Sequence, residues 1–193
     1  TNPALLDLLV SPNSYDQAHA RRVLVERGAA QVLPDLTAWS DRNPGDEARL
    51  QAMWMYQAFN EPRAAVLDQL LASSKPEIRA AAVRALPVDV STLPVLARLV
   101  ADPHPRVRLE AVRALGKVPT ARAAELALSA VDRPLDPFLD YAVWLTINEL
   151  ADPWVAAVKA GTWVIDGRER QLEFGLKAID ARRANELLGQ LLA

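Results

Sequence analysis

The sequence predicts an all-α fold, a right-handed α-solenoid (an α–α superhelix) of antiparallel helical hairpins, with about six repeats and a closing helix. Three observations predict it. The phrase R-x-x-A-V-R-A-L occurs twice, in KPEIRAAAVRALPV and again in DPHPRVRLEAVRALGKV. Sliding outward from the small residue Ala111 in the second copy finds matching small residues at Ala20, Ala52, Ala82, Ala142 and Gly175. In chain order these anchors are 32, 30, 29, 31 and 33 residues apart, the signature of stacked repeats. Finally, the apolar spacing around each anchor is helical: Val107, Ala111, Val112 and Leu115 share one face, and Arg106, Glu110, Arg113 and Lys117 the other.

Each unit pairs a short apolar helix with an anchored one. Unit 3–28 pairs PALLDLLV with DQAHARRVLVERG, and unit 29–60 pairs VLPDLTAWS with EARLQAMWMYQAF. Unit 61–88 pairs PRAAVLDQLL with EIRAAAVRAL, and unit 90–118 pairs STLPVLARLV with HPRVRLEAVRALG. Unit 119–150 pairs TARAAELALSAV with DPFLDYAVWLTI, unit 151–180 pairs PWVAAVKA with ERQLEFGLKAI, and ARRANELLGQLL closes the chain over 181–193. Together they form a single repeat domain, 1–193. Pro62, Pro76, Pro105 and Pro153 fall where a first helical turn begins, the one place where a missing N–H costs nothing. Pro34 and Pro94 sit slightly later, so their helices are expected to start just before them. Gly28 and Gly116 follow helix ends as C-terminal caps. Only TWVIDGRE breaks the pattern, with Thr162–Ile165 read as extended and Asp166-Gly167 as a turn. A single hairpin is too small to bury its own apolar face, so neighbours must stack into one core.

Composition narrows the chemistry. Lys plus Arg number 22 and Asp plus Glu 24, a net charge of −2 that does not suggest a nucleic-acid glove. There is no cysteine, which excludes disulfides, thiolate metal sites and covalent haem attachment within the chain. No apolar run approaches the roughly 18–20 residues of a membrane span, so no direct membrane insertion is expected. The first residues, TNPALLDLL, carry neither an initiator Met nor a signal-peptide pattern, and the chain reads as an excised piece or processed product. Leu5, Leu6, Leu8 and Leu9 at one end, and Leu187, Leu188, Leu191 and Leu192 at the other, are expected to meet further structure or to promote self-association.

The phrase D-P-x-x-x-V-R-x-x-A-x-x-A-L-G at Asp102–Gly116 resembles the HEAT repeat in its short bacterial form, although the usual HEAT period is about 40–47 residues. In order, EARLQAMWMYQAF, HPRVRLEAVRALG and PLDPFLDYAVWLTINEL are similar to the HEAT segment of large multidomain membrane-bound-dehydrogenase-type proteins. The resemblance implies a neighbouring dehydrogenase-like β-propeller, a c-type cytochrome module and an extracytoplasmic (periplasmic) location. It implies no activity in this chain, which has neither C-x-x-C-H nor propeller strands, and no cofactor of its own.

Two columns of the repeat stand out. Two residues after the anchors come Arg22, Trp54, Arg84, Arg113, Trp144 and Lys177, on the face the helical pattern turns away from the core. In solenoids of this kind the second helix of each pair lines the concave surface, so these residues, with Tyr141 one turn from Trp144, form a candidate recognition stripe. The competing reading is structural: the tryptophans lie over neighbouring arginines or cover the seams between repeats. Replacing Trp54 or Trp144 by alanine is expected to leave stability nearly unchanged, a loss above about 3 kcal/mol marking a core residue instead. Three residues before the anchors come Arg49, Arg79 and Arg108, placed to reach an aspartate near a neighbouring turn, such as Asp102, in a structural ladder.

Enzymatic readings find little support. The only histidines, His19 and His104, belong to different repeats, and no H-x-x-x-H or H-x-x-E-H spacing occurs. Asp136 and Asp140 share a helical face, but Asp136 reads best as a helix N-terminal residue and His104 as a solvated or capping side chain. The function expected is a noncatalytic protein-interaction or spacer module, with neighbouring domains or another protein as partner. The alternatives are a HEAT-like nucleic-acid binder of the DNA-glycosylase type and a HEAT-like lyase.

Overall fold

The computed structural model describes residues 1–191, which hold thirteen α-helices and no β-strand. The fold is that of the predicted class, an α-solenoid of helical hairpins. Two compact units divide at Ala85/Leu86.

In the first unit, α1 (Asn2–Leu8) pairs with α2 (Ser14–Arg27), α3 (Ala29–Arg42) with α4 (Asp46–Ala58), and α5 (Ala64–Leu71) with α6 (Pro76–Ala85). The anchored helices run in a row, α2 on α4 and α4 on α6, while α1 lies on α3. Leu6, Leu9, Leu24, Val32, Leu36 and Met55 form a common core with Ala20 and Ala52. Trp39 is buried among them and satisfies its Nε1–H by donating to Asp7 Oδ1 at 2.9 Å. Leu6 and Leu9, expected to await a neighbour, are 0 % exposed and turned into this core; of that group only Leu8 is substantially exposed.

In the second unit, α7 (Leu93–Val100) pairs with α8 (Pro105–Leu115), α9 (Ala121–Leu128) with α10 (Pro137–Glu149), and α11 (Ala151–Lys159) with α12 (Glu169–Ala178). The anchored helices again pack in sequence, α8 on α10 and α10 on α12, and the first helices pack α7 on α9, α9 on α11 and α11 on α13 (Ala181–Leu191). Leu187 of α13 is buried, Leu188 and Leu191 are partly exposed, and Leu192 lies outside the described residues.

Every anchor is buried: Ala20, Ala52, Ala82 and Ala111 are 0 % exposed, Ala142 4 %, and Gly175 is buried as well. The reason for a small residue is plainest at Gly175, where a Cβ would fall within the ring of Trp154, 2.6 Å from Cζ2. Trp154 is fully buried on α11, so glycine here lets the bulkiest side chain of the first helix reach the second.

Helix punctuation follows the sequence with three departures. Pro76 and Pro105 open their helices and Pro153 sits in the first turn of α11, but Pro62 lies before α5, which begins at Ala64. Pro94 falls in the first turn of α7, whereas Pro34 lies inside α3, five residues after its start. It is tolerated there because so near an N-terminus proline removes only a single early hydrogen bond. Gly28 has φ of 84° at the junction of α2 and α3, and Gly167 has φ of 74°, the left-handed turn read from Asp166-Gly167. Residues 162–165 form no strand; Trp163 instead buries its ring edge-on to Trp154 at 5.9 Å, with the Arg168 guanidinium above it at 5.7 Å.

The arginine ladder acts on main-chain carbonyls. Arg79 donates to Ser73 O at 2.8 Å and Ser74 O at 3.2 Å. Arg108, only 6 % exposed, donates to Asp102 O and Pro103 O, both at 3.1 Å, and to Pro134 O at 2.9 Å. Arg108 thus joins its own turn to the turn of the following hairpin. Asp102 is itself 9 % exposed and accepts from His104 N at 2.8 Å. Arg49 differs, pairing at 3.9 Å with Asp46 of its own helix. A second tie is Glu125, held by Arg122 at 2.6 Å and Arg168 at 2.7 Å. Burial pushes the Glu125 carboxyl up, but the hydrogen bonds and charges of the two arginines outweigh this and hold it below its ordinary value. A lowered carboxyl stabilises the fold above its ordinary range, and that contribution fades as pH falls through the lowered value.

Two stability tests follow. Gly175→Ala should destabilise by about 1–3 kcal/mol through overpacking on Trp154. Gly116→Ala should cost less, because the atom its added Cβ crowds most, Glu149 Oε2, ends a side chain that can shift, whereas the Trp154 ring cannot. Urea unfolding that ranked them the other way would refute the close-approach account. Arg108→Met should cost about 2 kcal/mol or more by stranding carbonyls at two turns, against under about 1 kcal/mol for Arg49→Met. Equal losses would show that the ladder carries no special weight.

Candidate interaction site

The structure divides the predicted stripe into different environments. In the first unit, Arg22 is exposed and pairs with Glu26 one turn along α2, at 3.4 Å. Trp54 is half-buried against the cluster of Met53, Leu70, Ile78 and Ala82. The cation over its ring, at 5.5 Å, belongs to Arg21, the neighbour of the predicted Arg22. Trp54 is therefore a packing residue in good part, not the exposed ring expected. Arg84 is exposed near the end of α6.

In the second unit, Arg113 on α8 faces α10. It forks onto Glu149, Nη1 to Oε2 at 3.0 Å and Nη2 to Oε1 at 3.1 Å, and its Nη1 also donates to Thr146 Oγ1 at 2.8 Å. Thr146 is fully buried and its hydroxyl donates to Val112 O at 3.3 Å, so the cation is fixed from below as well as from the side. Lys177 pairs with Glu173 one turn back on α12, the local pair its spacing implies, and these hydrogen bonds and charges hold the Glu173 carboxyl below its ordinary range. The charges of both cations are met within the chain.

What stays open is aromatic. Tyr141 and Trp144 stack with centroids 5.8 Å apart and planes 20° from parallel, and they are 61 % and 38 % exposed. Phe138, one turn before Tyr141, is 77 % exposed. Helix α10 holds these rings because its other face is committed to the core: Leu139, Ala142, Val143, Thr146 and Ile147 are all buried. Asp136 fixes the start of the helix by accepting from Phe138 N at 2.9 Å and Leu139 N at 2.8 Å, which sets the register that points the rings outward. Beside the rings a groove of about 400 Å³ runs between α8 and α10, lined by Leu109, Arg113, Phe138 and Leu145 among others. The anchor column leads to Trp144, and to Tyr141 only as its neighbour one turn away, so it does not reach Phe138. The signal was a different spacing, aromatics at 138, 141 and 144, every third residue.

The remaining sequence candidates do not assemble chemistry. His104 caps α8, its Nδ1 accepting from Arg106 N at 3.3 Å, and His19 stacks on Tyr15 at 6.1 Å. Among the described residues no group of three His, Cys, Asp or Glu side chains could hold a metal ion, and no helix is long and apolar enough to cross a membrane.

Residues 64–146, from the start of α5 through most of α10, match the family model for HEAT repeats. The likeness to HEAT repeats thus spans less than half of the chain, the hairpins from α5 to α10. A comparison with curated proteins returns no match.

The two tryptophans should separate on substitution. Trp54→Ala is expected to cost about 2–3 kcal/mol, as a half-buried ring packed on a core cluster. Trp144→Ala should cost about 0.5–1.5 kcal/mol, the worth of its stacking on Tyr141. Chemical denaturation measures both, and equal costs would contradict the different environments described.

Proposed function

We propose that the chain is a noncatalytic interaction and spacer module of a larger redox protein, working in the extracytoplasmic space between a dehydrogenase-like propeller and a c-type cytochrome module. HEAT repeats generally mediate protein interaction and scaffolding, and the match of residues 64–146 to their family model supports this reading. The redox setting rests on the resemblance in PLDPFLDYAVWLTINEL. The same stretch contributes the one observation that carries the interaction reading: three aromatic side chains on α10 that the fold leaves exposed side by side. Surface rings in a row, beside an apolar groove, have the composition of a binding hot spot.

A nucleic-acid interface fits less well. It would need cations free to meet phosphates, whereas Arg22, Arg113 and Lys177 each pair with a glutamate of this chain.

The test is a titration of the 193-residue chain with a c-type cytochrome module, following tryptophan emission at low and high salt. Saturable quenching that persists in salt and disappears in the Tyr141→Ala/Trp144→Ala variant is the expected result. No quenching at any concentration would remove the cytochrome as partner. Binding to duplex DNA with a steep salt dependence would replace the reading altogether.

A further inference from the structure

The α10 face can be assigned a partner chemistry from the charges around it, on the premise that the chain is an interaction module. Three other rings of the chain are each covered by one of its own arginines. Arg21 lies over Trp54 at 5.5 Å, Arg63 over Tyr56 at 5.3 Å and Arg168 over Trp163 at 5.7 Å. Among the described residues no guanidinium covers Tyr141 or Trp144. Arg113, which lines the same groove as Tyr141, is forked onto Glu149 and hydrogen-bonded to Thr146, and cannot turn toward the rings without breaking those bonds.

One charge on this face is left without an opposite. Asp140 is exposed, and among the described residues no side chain pairs with it. It precedes Trp144 by four residues, so its carboxylate stands one turn away on the same stripe of the helix. A stacked aromatic pair with a carboxylate beside it is complementary to a planar cation that can lie on the rings and fork to the acid. Arginine meets both demands, whereas lysine offers a compact, strongly hydrated charge. The adjoining groove, lined by Leu109, Pro137, Phe138, Ala142 and Leu145, would take an aliphatic residue next to that arginine.

We propose that this face docks an arginine-bearing segment of a protein partner, its guanidinium stacked on Tyr141 and Trp144 and paired with Asp140. An apolar neighbour of the arginine fills the groove toward Phe138.

The experiment uses the whole ¹⁵N-labelled chain and two blocked pentapeptides. One is acetyl-Gly-Leu-Arg-Leu-Gly-amide; the other has citrulline in place of arginine, which keeps the shape and removes the charge. The Trp144 indole resonance, assigned through Trp144→Phe, should move saturably with the arginine peptide, and the citrulline peptide should bind on the order of tenfold more weakly. Asp140→Asn should weaken the arginine peptide about two- to fivefold, and Trp144→Ala should abolish the shifts of neighbouring α10 amides. Thermal melts of both variants establish that they remain folded. Equal binding of the two peptides would overturn the cation assignment and leave an apolar docking face. No shift with either peptide would overturn the proposal, while a positive cytochrome titration would leave the module reading standing. Shifts that follow protein concentration without peptide would put a second copy on the face, and would also overturn it.

Discussion

Each hairpin depends on how closely its anchored helix can be approached, and that is set by one small side chain. Ala20, Ala52, Ala82, Ala111 and Ala142 are buried at the same position of successive units, and Gly175 completes the series. Interaxial distance follows the side chains at the contact, so a small residue at the crossing brings two apolar ridges into each other's grooves. The series ends in glycine because α11 brings the largest knob, Trp154, to the crossing. The repeat recurs in sequence because this requirement recurs in space. The surrounding Val and Leu can vary if total volume is kept, but the anchor cannot grow.

Close packing of helices leaves their turns with carbonyls that water reaches poorly, and the arginine column answers this. Arg108 bridges Asp102 O, Pro103 O and Pro134 O from a nearly buried position, and Arg79 serves the turn at Ser73 and Ser74 in the same way. The aspartate at the turn contributes differently, Asp102 through its hold on His104 N and Asp46 through Ser73 and Arg49. A guanidinium suits the task because its donors fan out in a plane, so one side chain can serve carbonyls from two hairpins. Loss of such a residue would be felt at both turns, since the stranded acceptors would stay out of water.

Much of this was legible from residues alone. The anchors, the pairing of a short helix with each anchored one, and the capping roles of His104 and Asp136 follow from local rules of period and helix ends, which act within a few residues. Legibility failed where a neighbour decides. Trp54 and Trp144 occupy equivalent repeat positions, yet one is half-buried under Arg21 and the other exposed, because the first unit packs Met53, Leu70, Ile78 and Ala82 against Trp54. Pro34 lies inside α3 because the chain turns at Gly28, a left-handed junction that starts the helix earlier than the proline does. Leu6 and Leu9 read as an unfinished end, and are buried because α1 lies across both α2 and α3.

The same distinction is why the proposed interaction face is placed on α10 and not along the whole column. A column of cations suggests a basic stripe only while each is counted alone. Arg22, Arg113 and Lys177 are matched by Glu26, Glu149 and Glu173, two of these glutamates one turn away on the same helix and Glu149 on the next anchored one. Pairing of this kind adds little to stability at an exposed surface, but it removes the charge from view. The tryptophan column is altered too, since Trp54 shares its ring with Arg21 and the core. What remains unmatched is a feature that does not repeat: three rings at every third position of one helix, beside an aspartate with which no side chain pairs among the described residues. Repetition builds the scaffold, and the proposed docking surface is drawn from residues that do not repeat.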